Sequence, residues 1–242
     1  MIEWQDDKDV FGRMFALTGD PIFKNLRNAV DNHDADLSDA LSWGQLKSKR
    51  WLIEKLQHGN QMIRNASGNQ QSMQLGTVFL CGGWYATIVD MLFKSGISIE
   101  KVRSFDIDPS CAPIAECVNK PYVIDEWKFK AATLDIHTIR WDRFDYVTHK
   151  SDGTELKLLD SANSVINTSC EHIFDFTDWY DRIPRGMLVV MQSNDFFEAP
   201  DHVNCYETLE EFAEDTPLRK ELFSGTLPLS RYNRFMRIGF KE

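Results

Sequence analysis

Apolar residues recur along the chain in two rhythms, and the change falls near residue 75. Over residues 1–74 the spacing is helical. In SWGQLKSKRWLIEKLQ, Leu46, Trp51, Leu52 and Leu56 share one face, and in DPIFKNLRNAV Asp20 stands as an N-cap before Pro21 at the first helical position. These segments predict an N-terminal helical cap over 1–74, closed by the polar, aperiodic NASGNQQSMQ (65–74), which reads as a linker. From residue 77 the runs TVFLC, KVRSFDI, KFKAATLDI, NSVINTS and GMLVVMQS alternate with helix-like YATIVDMLFKSG, DPSCAPIAECVN and DFTDWYDRIP. That alternation predicts an α/β domain over 75–242, a Rossmann-like, doubly wound and mostly parallel sheet with crossover helices on both faces. LFSGTLPLSRYNRFMRIGFK reads as a C-terminal antiparallel hairpin at one edge, for about seven strands in all. Arg231, Arg234 and Arg237 there read as edge-strand charges. Asp152-Gly153 within FDYVTHKSDGTELKLLD signals a small inserted hairpin.

Composition narrows the function classes. A chain of 242 residues that is 43% hydrophobic can bury one sizeable core. A formal charge of −10 opposes broad attraction to phosphate backbones, so nucleic acid is not the leading partner. Cys81, Cys111, Cys117, Cys170 and Cys205 show neither C-x-x-C spacing nor the density of a disulfide scaffold, and read as reduced thiols of a cytoplasmic protein. The acidic start MIEWQDDKDVFGRMF is not a signal peptide and no apolar run reaches bilayer-spanning length, so a soluble chain without a membrane partner is expected.

Three places carry candidate ligand chemistry. In a doubly wound sheet a ligand lies outside the carboxyl ends of the strands, where a glycine turn admits it close to the backbone, and Gly82-Gly83 occupy such a turn in TVFLCGGWYATIVDMLF. About twenty residues on, Asp106 ends the strand of VRSFDIDPS, where a carboxylate can accept both hydroxyls of an adenosine ribose. Asp108 adjoins Pro109 and reads as a helix cap. Asp135 of ATLDIHT ends the third strand and can take an adenine amino group, although strand-end aspartates also start turns.

The glycine turn, FDIDP, TLDI, a fourth strand with a polar end and a terminal strand hairpin together resemble the class I S-adenosylmethionine-dependent methyltransferases, over roughly residues 75–242. SFDIDPSC is similar to the nicotianamine synthase-like branch, which uses the same cofactor to transfer its aminocarboxypropyl group. INTSCEH, VVMQSND, HVNC and RFMRIG look like stretches of bacterial and phage proteins of the methyltransferase group. The resemblance implies S-adenosylmethionine as cofactor, with Gly82 and Gly83 against its methionine part, Asp106 on the ribose and Asp135 near the adenine. Cys81 and Trp84 stand where the family has an acid and a third glycine. Cys81 and Asn167 complete the expected cofactor-binding set.

The reaction is read from NSVINTSCEHIFDF, where Asn167 to His172 form a polar run beyond an apolar strand. Methyl transfer needs an aligned acceptor and, for an oxygen or nitrogen acceptor, loss of its proton. His172 is the candidate base, with an ordinary pKa near neutrality, and Glu171 the residue that orients it or the acceptor; both can equally start a helix. Cys170 as a nucleophile lacks the neighbouring proline of cysteine-adduct methyltransferases, and NTSC does not match the NPPY-type motif of amino-methylating nucleic-acid enzymes. Gln192 and Asn194 of MQSNDFF can read a polar acceptor, and Trp43 and Lys47 of the cap can clamp an anionic or aromatic one. His172, His202 and Cys205 are scattered and read as structural, so no metal is expected. The expected function is methyl transfer to an acceptor, with a small molecule favoured over a protein side chain or nucleotide. The alternatives are aminocarboxypropyl transfer and a non-catalytic S-adenosylmethionine-binding protein. A nicotinamide-dinucleotide enzyme is the rival, weakened by the missing G-x-G-x-x-G.

Overall fold

The computed structural model of the protein describes residues 7–33, 35–68, 71–150 and 152–242. The helical rhythm is realised in α1 (Asp7–Thr18), α2 (Pro21–His33), α3 (Leu37–Ala40) and α4 (Trp43–Ala66). Asp20 Oδ1 accepts from the Ile22 N–H at 3.1 Å ahead of α2, and Ser42 caps α4. The α/β part then runs β1 (Gln74–Cys81), α5 (Ile88–Lys94), β2 (Ser98–Asp106), α6 (Cys111–Val118), α7 (Lys120–Ile124) and β3 (Phe129–Thr133). An inserted antiparallel hairpin, β4 (Phe144–His149) and β5 (Glu155–Asp160), precedes β6 (Ser164–Asn167), α8 (Phe176–Asp181), β7 (Leu188–Asn194), α9 (Leu209–Asp215), β8 (Leu218–Pro228) and β9 (Asn233–Lys241).

The central sheet has the order β3-β2-β1-β6-β7-β9-β8. All neighbours from β3 to β7 are parallel, and β9 runs antiparallel to both β7 and β8. Chain order reverses between β1 and β6, which makes the carboxyl ends of those strands the place where a crevice forms. β9 is interior and β8 is the edge, which corrects the reading of Arg234 and Arg237 as edge charges: they are 1% and 7% exposed. Arg234 Nη1 lies 2.6 Å from Glu171 Oε1, so it serves an ion pair inside the protein.

Alternate strand residues fall into separate cores, as the two-residue pleat requires. Val78, Leu80, Val102, Ile166 and Val190 pack with Leu52 and Leu56 of α4 and with Val89 and Leu92 of α5. Phe79, Cys81, Phe105, Val165 and Met191 pack with Trp179 and Tyr180 of α8 and with Phe144 and Tyr146 of the inserted hairpin. A third cluster joins Leu26 and Ala29 of α2 and Leu37 of α3 to Ile114 and Val118 of α6, with Trp84 and Tyr85 against it. Helix α4 thus shares the core of the sheet, tied by Ser48 Oγ donating to Gln192 Oε1 at 3.0 Å, while α2 and α3 form an outer layer. Among the described residues no helix is long and apolar enough to cross a membrane.

Strand β1 starts three residues earlier than the apolar run suggests, because Gly76 bends its entry. Its φ is +57°, and a Cβ there would press into the Asn163 side chain, whose Oδ1 accepts the Thr77 N–H at 2.9 Å. Gly76→Ala is expected to lower unfolding free energy by about 1–2 kcal/mol, read from urea denaturation. A change under a few tenths of a kcal/mol would show that this entry relaxes freely.

Candidate functional site

A cavity of about 540 Å³ lies at the carboxyl ends of β1, β2, β3 and β6. The turn after β1 forms its floor. Gly82 and Gly83 both donate backbone N–H to the Phe105 carbonyl, at 2.9 and 3.3 Å. Gly82 has φ +62°, and the space where its Cβ would stand meets nothing nearer than Ser169 Cβ at 3.7 Å, so a ligand can approach the bare backbone. Gly83 is different: a Cβ there would strike Ser104 Oγ, which makes glycine a packing requirement. Trp84, standing where the family has a third glycine, itself adopts the left-handed conformation at φ 47°. Its N–H donates to Asp106 Oδ2 at 2.7 Å and its ring stacks on Tyr85 at 4.7 Å, so local contacts hold the strained turn.

Asp106 lines the cavity at the end of β2, and its Oδ1 also accepts the Asp108 N–H at 3.1 Å. Each oxygen keeps a further acceptor site. Asp108 accepts from Ser110 N–H at 2.8 Å and so holds the turn before α6, as read from its neighbouring proline. Asp135 lines the cavity too, but β3 ends at Thr133 and the side chain caps a short 3-10 turn through the His137 N–H at 2.9 Å. Its strand-end placement is corrected accordingly.

Beyond β6 the polar run splits. Thr168, Ser169 and His172 line the cavity, with Asp201 alongside. His172 Nδ1 lies 3.1 Å from the Asp201 carbonyl and 3.3 Å from Asp201 Oδ2. Glu171 turns inward: it is buried, its Oε1 accepts from Arg234 Nη1 at 2.6 Å and Asn194 Nδ2 at 2.7 Å, and its Oε2 has no partner. Asn167 is buried with Oδ1 accepting the Ser169 N–H at 2.8 Å, while its Nδ2 has no partner. Cys81 and Cys170 are fully buried, which pushes both thiols up and makes neither a nucleophile.

The four acceptor candidates are displaced from the cavity. Gln192 and Asn194 are buried framework residues, bonded to Ser48 and Glu171. Trp43 is 78% exposed and Lys47 is exposed, neither lining the cavity. The physical reason is helix phase: Gln45 and Lys49, one turn apart, continue the buried stripe of Leu52 and Leu56 and enter the cavity instead, joined by Asp39 of α3. That stripe, extended toward the N-terminus of α4, was the available signal. Lys49 donates to Gln45 Oε1 at 2.6 Å, and burial, with repulsion from Arg234, depresses its pKa to about 7. Nothing in the local pattern points to Asp39 or Asp201.

Comparisons with solved structures fit this geometry. The magnesium protoporphyrin IX methyltransferase ChlM of Synechocystis PCC 6803, solved with bound S-adenosylmethionine, matches over 100% of both chains at 12% identity, with a TM-score of 0.50. The small RNA methyltransferase HEN1 matches 79% of this chain and 25% of its own at 13% identity, with a TM-score of 0.51. No protein-family model and no curated protein sequence matches the chain. The protein therefore has the fold of the class I S-adenosylmethionine-dependent methyltransferases. The interior antiparallel β9 further separates it from the six-stranded dinucleotide-binding order.

Proposed function

We propose that the protein is an S-adenosylmethionine-dependent methyltransferase acting on a small polar acceptor. The observation that carries this reading is convergence: the bare Gly82 backbone, the Asp106 carboxylate and the His172 imidazole all open onto one cavity. Its volume, about 540 Å³, is in the range of cofactor and small-ligand sites. The residues fit the cofactor. Asp106 retains acceptor sites for ribose hydroxyls and Gly82 leaves room at the backbone, whereas Asn167, fully buried and outside the cavity lining, braces the turn through the Ser169 N–H without reaching the ligand. Asp135 or His137 would border the adenine, and Cys81 supports the turn from the core without reaching the ligand.

S-adenosylmethionine supplies a methyl group on a sulfonium sulfur. The chain's part is to orient the acceptor and keep its reacting atom dry. His172 and Glu171 form the acceptor-side pair: His172 faces the cavity, and Glu171, anchored to Arg234 and Asn194, fixes the turn that carries it. Lys49, Gln45 and Asp39 supply charge and hydrogen bonds from the opposite wall. The chain's net charge of −10 favours a small molecule over a nucleic acid.

Calorimetric titration with S-adenosylmethionine, S-adenosylhomocysteine, methylthioadenosine and nicotinamide dinucleotides tests the cofactor. The first two are expected to bind, and Asp106→Ala to weaken both by about 10- to 100-fold, the value of a hydrogen-bonded carboxylate at roughly 1.5–3 kcal/mol. Preference for methylthioadenosine would favour aminocarboxypropyl transfer. Binding of neither sulfonium compound nor its demethylated product would end the methyltransferase reading.

A further inference from the structure

Glu171 and His172 lie on the 3-10 turn after β6, and His202 on the loop after β7. One carboxylate oxygen of Glu171 and one ring nitrogen of each histidine all lie within 4.8 Å of one another. The two imidazoles meet edge to face at 90°, with centroids 4.7 Å apart. Proximity of this kind is not yet a site.

Two further observations point to a ligand. The first is Glu171 itself. The residue is 2% exposed, Oε1 takes both available donors, and Oε2 is left buried with nothing to accept from. A carboxylate oxygen in that position is costly unless something positive meets it. The second is the orientation of the histidines. His202 Nδ1 lies 2.8 Å from the Phe196 carbonyl oxygen and His172 Nδ1 3.1 Å from that of Asp201. A carbonyl only accepts, so each Nδ1 is the donor, which leaves Nε2 of the neutral imidazole with its lone pair for an ion, the arrangement in which ligating imidazoles are held.

We propose that Glu171, His172 and His202 bind a divalent transition-metal ion whose remaining coordination positions face the cavity and take an oxygen of the acceptor. Two imidazoles and one carboxylate suit the zinc, manganese and cobalt class better than calcium. Arg234 shares the Glu171 carboxylate but occupies only Oε1, and the Asp201 carboxylate, 3.3 Å from His172 Nδ1, adds negative charge on the cavity side. Cys205 is close, its sulfur 3.6 Å from His202 Nδ1, but its S–H is turned to Asn194 Oδ1 at 3.3 Å. The burial gradient, from buried Glu171 through half-buried His202 to exposed His172, opens the site toward the cavity that His172 lines.

The use of the ion rests on the methyltransferase reading; its binding does not. An ion here would make a hydroxyl acceptor more acidic, so that its proton would pass to solvent water in the cavity, its oxygen would take the methyl group as S-adenosylhomocysteine leaves, and His172 would serve as a ligand in place of a base. The acceptor class is accordingly a small molecule offering a hydroxyl oxygen.

The test is made on the full chain after chelator treatment and dialysis, titrated calorimetrically with zinc, manganese or cobalt chloride alone. Stoichiometric binding is expected, with cobalt giving visible absorption of an imidazole-containing site. His202→Ala should weaken binding by about 100-fold or more, beyond the 10- to 100-fold typical of losing only a supporting contact. S-adenosylhomocysteine binding to the same variant, expected unchanged, verifies that the variant is folded, and His202→Asn provides a gentler replacement. Absence of saturable metal binding, or equal binding by wild type and both variants, would overturn the site. Metal binding without S-adenosylhomocysteine binding would keep the site and remove the methyl-transfer reading; the reverse result would keep that reading and remove the site.

Discussion

Arg234→Met is expected to lower the unfolding free energy of the chelator-treated protein by about 3–5 kcal/mol, because it leaves a buried carboxylate without its cation. Arg234 and Glu171 side chains are 2% and 3% exposed, and their contact is 2.6 Å. After the substitution Glu171 keeps the Asn194 amide on Oε1 and nothing on Oε2. For a chain of 242 residues the loss corresponds to a fall in Tm of about 6–20 °C. Adding Glu171→Gln should restore most of it, since removing both charges spares the uncompensated one. The double-mutant cycle, measured by urea denaturation, is therefore expected to show strong coupling. Additive effects of the two substitutions would mean that water reaches the pair. The consequence reaches the site: this ion pair joins β9 to the turn after β6, and that turn carries His172 to the cavity wall.

The same pair shows what was legible in the chain and what was not. Strands β1, β6 and β7 are largely apolar runs, β2 carries Ile99, Val102 and Phe105 among polar residues and ends in Asp106, and this strand pattern places Gly82, Gly83, Asp106 and His172 at one edge of a parallel sheet. Asp152-Gly153 announces the inserted hairpin for the same local reason, a turn chemistry between alternating segments. What local pattern cannot carry is partner choice across the sheet. Arg234 meets a residue 63 positions away, and only the interior placement of β9 explains why an arginine is buried there. Helix phase is the other source of error. The polar and aromatic Trp43 and Lys47 attract attention as a clamp, whereas burial follows the stripe through Lys49, Leu52 and Leu56. In the metal site proposed above, the third place goes to the Glu171 carboxylate and not to Cys205, the stronger ligand by type, because the Cys205 thiol is turned to Asn194 Oδ1.

Lys49 leads to the second large effect, of opposite sign. It is 6% exposed, has one hydrogen bond to the neutral Gln45 amide and is repelled by Arg234, with only partial relief from Asp39 and Glu171. Its pKa falls from 10.5 to about 7, a difference worth about 5 kcal/mol at roughly 1.4 kcal/mol per pH unit. Relaxation around the ammonium reduces the usable part, so Lys49→Met is expected to stabilise the fold by about 2–4 kcal/mol at pH 6. The sign follows from proton counting. Below about pH 7 the lysine is charged in both states and the folded chain carries the full penalty; between about 7 and 10.5 the unfolded chain holds a proton that the folded chain has released, so the penalty shrinks as pH rises. The advantage of the variant should therefore be largest at pH 6 and smaller at pH 9. Taking the difference between the two proteins cancels the buried cysteines and tyrosines, whose raised pKa values move wild-type stability the other way at alkaline pH. A stabilising substitution at a cavity wall implies that the lysine is kept for a ligand. An acceptor bearing an anionic group beside Lys49 would restore its charge, so Lys49→Met should gain stability and lose acceptor-dependent turnover together. No gain at pH 6 would show that the cavity hydrates the ammonium and would remove Lys49 from the acceptor wall's electrostatics.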